Sequence, residues 1–247
     1  MKRLLDILVS LFGLILLSPL LIPVIVLVWL HDYYFPFYIA PRVSINGNTF
    51  KMVKLRSMRV NADKAGVDST SGDDPRITSV GKFIRRYKLD EITQLWNVLI
   101  GDMSLVGPRP NVKRETDLYT EEEKKLLTVK PGITDIASIV FSDEGDILEG
   151  KADPDLAYNQ LIRPWKSRFG LVYIENQNFI LDIKLILLTV VAMLFRKFAL
   201  LKIRRLLIGL NVSAELSNIA LREEPLVPIP PPGTTEIVTS RLSPVSG

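Results

Sequence analysis

The chain has no cysteine and a single histidine among its 247 residues. The absence of cysteine excludes disulfide bonds and metal sites built from thiolates, although it leaves the cellular compartment open. The one histidine, His31, lies at the end of a long apolar segment and has no evident partner. We therefore assign it no catalytic role.

Charged residues are also absent from Ile7 to Leu30. As a helix this stretch would be about 36 Å long, enough to cross a hydrocarbon core of roughly 30 Å. It is longer than the usual apolar region of a signal peptide, and no small-x-small cleavage site follows it. We expect the segment to stay in the mature protein.

Ser18 and Pro19 interrupt the middle of this segment. Proline removes a backbone donor and clashes with the preceding turn, so we expect a kink at which Ser18 bonds back to a freed carbonyl. Basic residues flank the segment on both sides, and the positive-inside rule then favours both ends in the cytoplasm. A re-entrant helix that turns back within one leaflet satisfies this preference, and a kinked spanning helix is the alternative.

The overall composition fits a membrane-associated protein. The net charge is +4, hydrophobic residues make up 47%, and the mean hydropathy of +0.22 is high for a purely soluble chain. The basic balance suits a surface that meets anionic lipid headgroups or phosphorylated substrates. No nucleic-acid-binding motif accompanies the basic residues, so we do not expect nucleic acid as a partner.

An acidic pair, Asp90-Glu91, stands out in an otherwise basic stretch. The apolar residues after it recur at helical spacing, which places the pair in the first turn of an amphipathic helix that ends at Gly101. Acidic residues in a first turn often do no more than complement the helix dipole. Here a series of basic residues comes just before them: Arg76, Lys82, Arg85, Arg86 and Lys88.

This pattern suits chemistry on a phosphorylated substrate carried with Mg²⁺. Carboxylate oxygens bind the hard cation, and Arg or Lys side chains neutralise phosphoryl oxygens. A carboxylate can also attack phosphorus and form an acyl phosphate. Further along, Gly107-Pro108-Arg109-Pro110 forms a stiff turn that fixes the direction of Arg109, a suitable phosphate ligand.

Two further segments can be read locally. Residues Phe50 to Met58 (FKMVKLRSM) alternate well enough to predict a strand. The polar stretch from Asn61 to Asp74 that follows predicts a mobile loop.

Together these motifs resemble the bacterial sugar transferases, the monotopic phosphoglycosyl transferases that start glycan assembly on polyprenyl phosphate. The resemblance covers about residues 1 to 195 and is carried by several ordered motifs: KRLLDILVS with the later Ser18-Pro19, KLRSM, RITSVGKFIRR, LDEITQLWNVLIGDMSLVGPRP and KPGIT. It implies transfer of a sugar 1-phosphate from a UDP-sugar to undecaprenyl (polyprenyl) phosphate, with release of UMP. The implied place is the inner (cytoplasmic) membrane, with the catalytic domain on its cytoplasmic face.

The resemblance also implies roles for individual residues. Asp90 would attack the sugar-bearing phosphate, forming a covalent phosphosugar-enzyme that the lipid phosphate resolves, and Glu91 would hold Mg²⁺ together with Asp90. The implied substrate-binding residues are Lys54, Arg56, Arg85, Pro108 and Arg109. Ser18-Pro19 matches the re-entrant break of the family. An inactive membrane scaffold and a metal-dependent phosphatase with water as acceptor are the alternatives, and homodimerisation is left open.

Three departures from the family pattern bear on the identity of the sugar more than on the reaction. Ala40 to Ser44 lacks the Gln and Gly of a frequent Gln-Arg-x-Gly pattern. Many members continue KPGIT with Gly and then Ala-Gln-Val, whereas Asp135 to Ser138 stands here. Gly170 occupies a position where many members have Asp.

We therefore predict a mostly helical α+β fold with monotopic membrane attachment. Residues 1–31 would form the re-entrant membrane helix and residues 32–182 the cytoplasmic catalytic domain. The apolar run from Ile183 to Phe195 is too short to span, so residues 183–210 are predicted as interfacial amphipathic helices, with a buried core helix as the alternative. Residues 211–247 are proline-rich and predicted to be largely disordered.

Overall fold

A computed structural model describes residues 1–240 and confirms a mostly helical α+β fold. The helices are α1 (Lys2–Asp32), α2 (Ser79–Arg86), α3 (Leu89–Ile92), α4 (Leu95–Ile100), α5 (Lys113–Thr116), α6 (Ile136–Val140), α7 (Glu144–Leu148), α8 (Pro154–Ala157), α9 (Arg163–Asn176), α10 (Phe179–Leu194), α11 (Arg196–Gly209) and α12 (Ala214–Ile219). The strands are β1 (Phe37–Val43), β2 (Thr49–Leu55), β3 (Ser104–Val106) and β4 (Gly132–Thr134). The predicted strand from Phe50 to Met58 is confirmed as β2 up to Leu55, where the strand ends before the predicted boundary.

The strands form two small pairs. β1 and β2 are antiparallel, with Tyr38 opposite Lys54, and β3 and β4 are parallel. Just after β3, Gly107 passes so close to Gly132 that a Cβ on Gly132 would lie 2.1 Å from the Gly107 nitrogen. The glycine of the KPGIT motif therefore permits this close approach, which anchors the start of the turn that carries Arg109.

Helix α1 is continuous from Lys2 to Asp32 with Pro19 and Pro23 inside it, so the break that we expected at Ser18-Pro19 does not interrupt the helix. Pro19 cannot donate to the carbonyl four residues earlier, that of Ile15. Ser18 Oγ donates to the Ile15 carbonyl instead, at 2.7 Å. The back-bond predicted for Ser18 is confirmed, and it supplies the donor that proline lacks.

Both ends of α1 are attached to the same globular body. At the N-terminal end, Lys2 Nζ donates to Tyr173 OH at 2.9 Å and to Asp182 Oδ2 at 2.8 Å. At the C-terminal end, the two terminal nitrogens of Arg56 each donate to a carboxylate oxygen of Asp32 at 2.6 Å. The helix is therefore fastened at both ends rather than standing away from the domain.

Two apolar cores hold the body together. The larger joins α4, α6, α9, α10 and α11 around fully buried side chains that include Val98, Ile136, Ile139, Phe169, Leu185 and Ile203. The smaller joins the second half of α1 to β2, α2 and α3 through Val24, Val28, Leu55, Ile84 and Leu89. Helix α1 thus buries one side, and its other side leaves large apolar residues exposed: Leu4, Leu8, Phe12, Ile15, Ile22 and Trp29.

The C-terminal segment differs from the expectation of disorder over the residues that the structure describes. Helix α12 packs on the larger core, and the proline-rich stretch after it lies along the body. Thr120 Oγ1 donates to the Pro232 carbonyl at 2.5 Å, and Gln160 Nε2 donates to the Val238 carbonyl at 2.7 Å. Residues 241–247 lie outside the described part of the chain.

Candidate active site

Side chains of α3 and α4 position the acidic pair against β2. The Asn97 amide accepts from the Val53 backbone N–H at 2.9 Å and donates to the Lys51 carbonyl at 2.8 Å, as a neighbouring strand would do. Thr93 Oγ1 donates to the Val53 carbonyl at 3.2 Å. These bonds fix the distance between β2, which carries Lys54, and the helix that carries the pair.

The helix predicted around the pair forms in two pieces. Asp90 and Glu91 lie in α3, α4 follows after a turn at Thr93, and the chain leaves α4 at Gly101 with a φ of 97°. The predicted end at Gly101 is confirmed, since glycine readily adopts this left-handed conformation. The interruption separates the acidic pair from the apolar face of α4.

Glu91 and Arg109 form an ion pair, with 2.5 Å between Glu91 Oε1 and Arg109 Nη2. Burial favours the neutral form of Glu91, but the charges of Arg109, Lys54 and Lys88 outweigh it and lower the pKa of Glu91 to about 2. The same pair raises the pKa of Arg109. Glu91 is therefore a carboxylate at any physiological pH.

Asp90 is buried, and its Oδ1 receives no hydrogen bond from any described residue. Its backbone carbonyl accepts from Thr93 Oγ1 at 3.0 Å, which holds the residue in place. A buried carboxylate oxygen without a donor is costly in a folded protein, so it indicates a role beyond structure.

Cationic side chains surround the pair. Burial, reinforced by the charge of Arg109, lowers the pKa of Lys54 to about 8, although the carboxylates of Asp90 and Glu91 oppose the shift. Burial also lowers the pKa of Arg85, against the charge of Asp90. An anionic ligand would favour the charged form of both side chains, and phosphate is such a ligand.

Arg56, predicted to bind substrate, and Arg76, from the basic stretch before the pair, both bond to other parts of the protein. Besides its bonds to Asp32, Arg56 donates from Nε to the Phe35 carbonyl at 2.9 Å, so its guanidinium is committed to the end of α1. Arg76 pairs with Asp74 and donates to the Val67 carbonyl at 2.7 Å. It thereby pins the loop from Asn61 to Asp74, which we predicted to be mobile.

A narrow cleft that is partly open to solvent lies beside Arg109. Its walls include Asp135, Tyr158 and Lys166. Lys166 forms an ion pair with Glu144, whose pKa is lowered by Lys166 and then by Arg109 in spite of burial. Glu144 thus interacts electrostatically both with Lys166 in the cleft and with Arg109, the partner of Glu91 in the acidic site.

Sequence reasoning missed the contributions of Glu144 and Lys166 to the site. They are separated from each other and from the acidic pair along the chain, and neither lies in a motif, so only their convergence identifies them. Asn97 could have been identified from the sequence. It is a polar residue four positions after Thr93, and this helical spacing places both on the side that faces the protein interior.

The departures from the family pattern fall on this cleft. Ser44 and Asp135 line it. A Cβ on Gly170 would lie 2.6 Å from Leu126 Cδ2, and both Leu126 and the nearby Pro108 belong to the cleft wall. Parts of all three departures therefore lie in this cleft or directly behind its wall.

No group of three or more metal-binding side chains is found within residues 1–240. Mg²⁺ usually takes one or two carboxylates and completes its shell with water and substrate phosphates. Asp90 and Glu91, one of them with an unsatisfied buried oxygen, fit that mode of binding.

Comparison with known proteins agrees with this geometry. The sequence model of the family described as "Bacterial sugar transferase" matches residues 1–196. The chain is 32% identical over 206 residues to the exopolysaccharide production protein ExoY of Sinorhizobium fredii, covering 77% of this chain and 84% of that relative.

Two longer relatives carry substrate names. The UDP-glucose:undecaprenyl-phosphate glucose-1-phosphate transferase of Klebsiella pneumoniae is 37% identical over 76% of this chain and 39% of its own length. The UDP-N-acetylgalactosamine-undecaprenyl-phosphate N-acetylgalactosaminephosphotransferase of Aeromonas hydrophila is 34% identical over 66% of this chain and 40% of its own length. With four fifths of its residues matched by the family model and an acidic site of the expected composition, the chain belongs to the bacterial sugar transferase family.

Proposed function

We propose that the protein transfers a sugar 1-phosphate from a UDP-sugar to undecaprenyl phosphate and releases UMP. The observation that carries this proposal is Asp90, whose buried Oδ1 lacks a donor beside the Glu91–Arg109 pair. The names of the relatives support the same reaction. The enzyme is thus a phosphoglycosyl transferase.

In the first step a carboxylate oxygen of Asp90 attacks the sugar-bearing phosphorus of the donor. A new bond forms between that oxygen and phosphorus, the bond from phosphorus to the bridging oxygen of the diphosphate breaks, and UMP leaves with the bridging oxygen. The product is an acyl phosphate that links Asp90 to the sugar phosphate. Because Oδ1 accepts no hydrogen bond from residues 1–240, no such bond has to be broken before this oxygen attacks.

In the second step a phosphate oxygen of undecaprenyl phosphate attacks the same phosphorus. The bond to Asp90 breaks, the carboxylate is regenerated, and the product is a lipid diphosphate that carries the sugar. Lys54, Arg85 and Arg109 neutralise the phosphoryl oxygens through both steps. Glu91 holds Arg109 in place and, with Asp90, would bind Mg²⁺, which supplies further charge neutralisation to the diphosphate.

A lipid-linked acceptor requires the site to lie at a membrane surface, and α1 suits that place. It is the one helix within residues 1–240 that is long and apolar enough to cross a membrane. Its attachment at both ends to one body favours an arrangement with both helix ends on the same side of the membrane over a perpendicular span. We infer a monotopic protein on the cytoplasmic face of the inner membrane.

The C-terminal helices α10 and α11 complete this membrane face. They pack against each other and bury Leu185 and Ile203 in the core, while large apolar side chains of both remain exposed: Ile180, Leu187, Val190, Met193, Leu194, Phe198, Leu201 and Ile208. An exposed apolar surface of this extent is typical of an interaction with a membrane or a partner. We assign both helices to the membrane interface.

The test is UMP release by the purified protein in detergent with Mg²⁺. A panel of UDP-sugars is offered with and without undecaprenyl phosphate, and Asp90→Asn is assayed alongside the wild type. We expect lipid-dependent UMP from at least one sugar and a loss of at least ~1,000-fold in Asp90→Asn.

Other outcomes separate the alternatives. UMP release that needs no lipid phosphate would indicate a phosphatase with water as acceptor. No UMP from any donor by a folded protein, together with unimpaired glycan assembly in cells that carry Asp90→Asn, would indicate a scaffold. Mass spectrometry of the trapped protein tests the intermediate, because a sugar phosphate should be attached to Asp90 in the wild type only.

A further inference from the structure

The cleft beside Arg109 contains a polar group that the proposed reaction does not use. Asp135 is 2% exposed and caps α6, where its Oδ1 accepts from the backbone N–H and the hydroxyl of Ser138, both at 2.6 Å. Within residues 1–240 its second oxygen, Oδ2, accepts no hydrogen bond. The residue lines the cleft, so a ligand there can supply the missing donor.

A donor of complementary kind lies in the same cleft. The Lys166 ammonium has three protons, one of which points to Glu144, and the side chain is 15% exposed. It stands 5.4 Å from the centre of the Tyr158 ring. The cleft therefore offers a carboxylate acceptor, an ammonium donor and an aromatic surface.

The charges in the cleft are already paired. Lys166 is matched by Glu144, and Arg109 by Glu91. Asp135 then adds a negative charge, which disfavours a second phosphate or a carboxylate-bearing sugar in this place. A neutral group with adjacent hydroxyls satisfies both the acceptor and the donor, because each hydroxyl can donate to one and accept from the other.

We propose that this cleft binds a vicinal diol of the nucleotide-sugar donor, with Asp135 Oδ2 accepting a hydroxyl proton and Lys166 donating to the neighbouring oxygen. This inference rests on the proposed transferase function and names the part of the donor that the cleft selects. The diol belongs to the transferred sugar or to the ribose of the nucleotide, and the two sources are separable by experiment. A site built to hydrogen-bond a hydroxyl rejects an analogue that lacks it.

The experiment combines one variant with donor analogues. In Asp135→Asn the amide can still cap α6 through its oxygen, so the helix start is kept while the charge is removed. The donors are the parent UDP-sugar, analogues that each lack one sugar hydroxyl, and an analogue with deoxyribose. For each pair of protein and donor, kcat/KM is measured from UMP release.

We expect Asp135→Asn to lower kcat/KM for the parent donor by about tenfold or more. One deoxy analogue should cost the wild type a similar factor, and the variant should lose little further with that analogue, because the interaction is already gone. If the critical hydroxyl is on the hexose, the cleft is a sugar subsite; if it is on the ribose, the cleft is a nucleoside subsite. Either result supports the proposal.

The proposal would be overturned if, for every analogue, the loss in kcat/KM from the missing hydroxyl multiplied with the loss from Asp135→Asn. Asp135 would then act only through the fold. The matched control is Asp153→Asn, the same change at the N-cap of α8, outside the cleft. It should leave kcat/KM unchanged. A wild type that releases no UMP from the parent donor would contradict the transferase function itself, whereas an active wild type with multiplying losses contradicts only the diol site.

Discussion

At the scale of single residues, the site contains charged groups for which the protein itself does not provide full hydrogen bonding or charge compensation. Asp90 Oδ1 lacks a donor, and Lys54 is held in surroundings that disfavour its charge. Each arrangement costs stability in the free protein: an anionic ligand would offset the cost at Lys54, and a bound cation would offset the cost at Asp90. Glu91 and Arg109, by contrast, satisfy each other and give the site a fixed frame.

Lys54 predicts how donor binding depends on pH. Its pKa is lowered to about 8, so the side chain is charged below that pH and neutral above it. We expect kcat/KM for the UDP-sugar to fall as the pH rises through about 8, because a neutral amine no longer neutralises phosphate. Arginine keeps its charge throughout this range, so Lys54→Arg should remove the alkaline fall in a kcat/KM profile from pH 6 to 10. An identical fall in both proteins would assign it to another group.

Arg56 and Arg109 should respond differently to the same conservative change. Arg56 makes a two-bond contact with Asp32, and lysine cannot reproduce it, so Arg56→Lys should lower the melting temperature. It should leave the KM for the donor within about twofold, because its guanidinium is directed at α1. Arg109→Lys should instead raise that KM by about tenfold or more. Thermal unfolding and steady-state kinetics on both variants distinguish the two roles. A raised KM in Arg56→Lys would indicate that Arg56 binds the donor after all.

At the scale of elements, the position of the acidic pair depends on how α3 and α4 dock on β2. The short helix α3 has too few residues to be stable by itself, so its location comes from contacts with its neighbours. Asn97, in the adjoining helix α4, holds this segment against β2 by bonding the β2 backbone at Val53 and Lys51. The Asn97 side chain thus makes the two backbone hydrogen bonds that a third strand would make at this edge of β2.

Removing that amide should loosen the site. Asn97→Ala removes a fully buried amide and its hydrogen bonds to the half-buried Val53 N–H and to the Lys51 carbonyl, which costs about 1–3 kcal/mol of unfolding free energy. Denaturant unfolding in detergent measures the loss, and activity should fall in parallel. Asn218→Ala, at an exposed position of α12, is the control and should change stability little. Equal stability of the two variants would mean that other contacts position α3.

At the scale of the whole molecule, the two attachments of α1 decide its topology. Lys2 and Arg56 tie opposite ends of the helix to one body, so the ends of α1 should lie on the same side of the membrane. The absence of cysteine makes the test direct. One variant carries a cysteine in an N-terminal tag, and a second carries Tyr34→Cys. Each is treated in spheroplasts with a maleimide that does not cross the inner membrane.

We expect neither position to react until the membrane is permeabilised, when both should react together. Lys113→Cys, on the exposed surface of the catalytic domain, marks the cytoplasmic side. Labelling of one end without permeabilisation, with the other protected, would establish a spanning helix instead.

Local sequence determined the features that depend on neighbouring residues. The back-bond from Ser18 and the end of α4 at Gly101 each follow from the conformational limits of one or two residues. The mostly helical fold and the family also follow from the sequence, because several ordered motifs lie along one chain.

Tertiary structure decided which charged residues meet. Nothing local distinguishes Arg85, which faces Asp90, from Arg76, which pins a loop, because both lie in the same basic stretch. Likewise Lys166 lies in no motif and Asp135 stands out in the sequence only as a departure from the family pattern, and the two come together only in the cleft between α9 and α6. A side chain's chemistry depends on its burial and on its partners in space, and those are set by packing between distant segments rather than by the residues next to it.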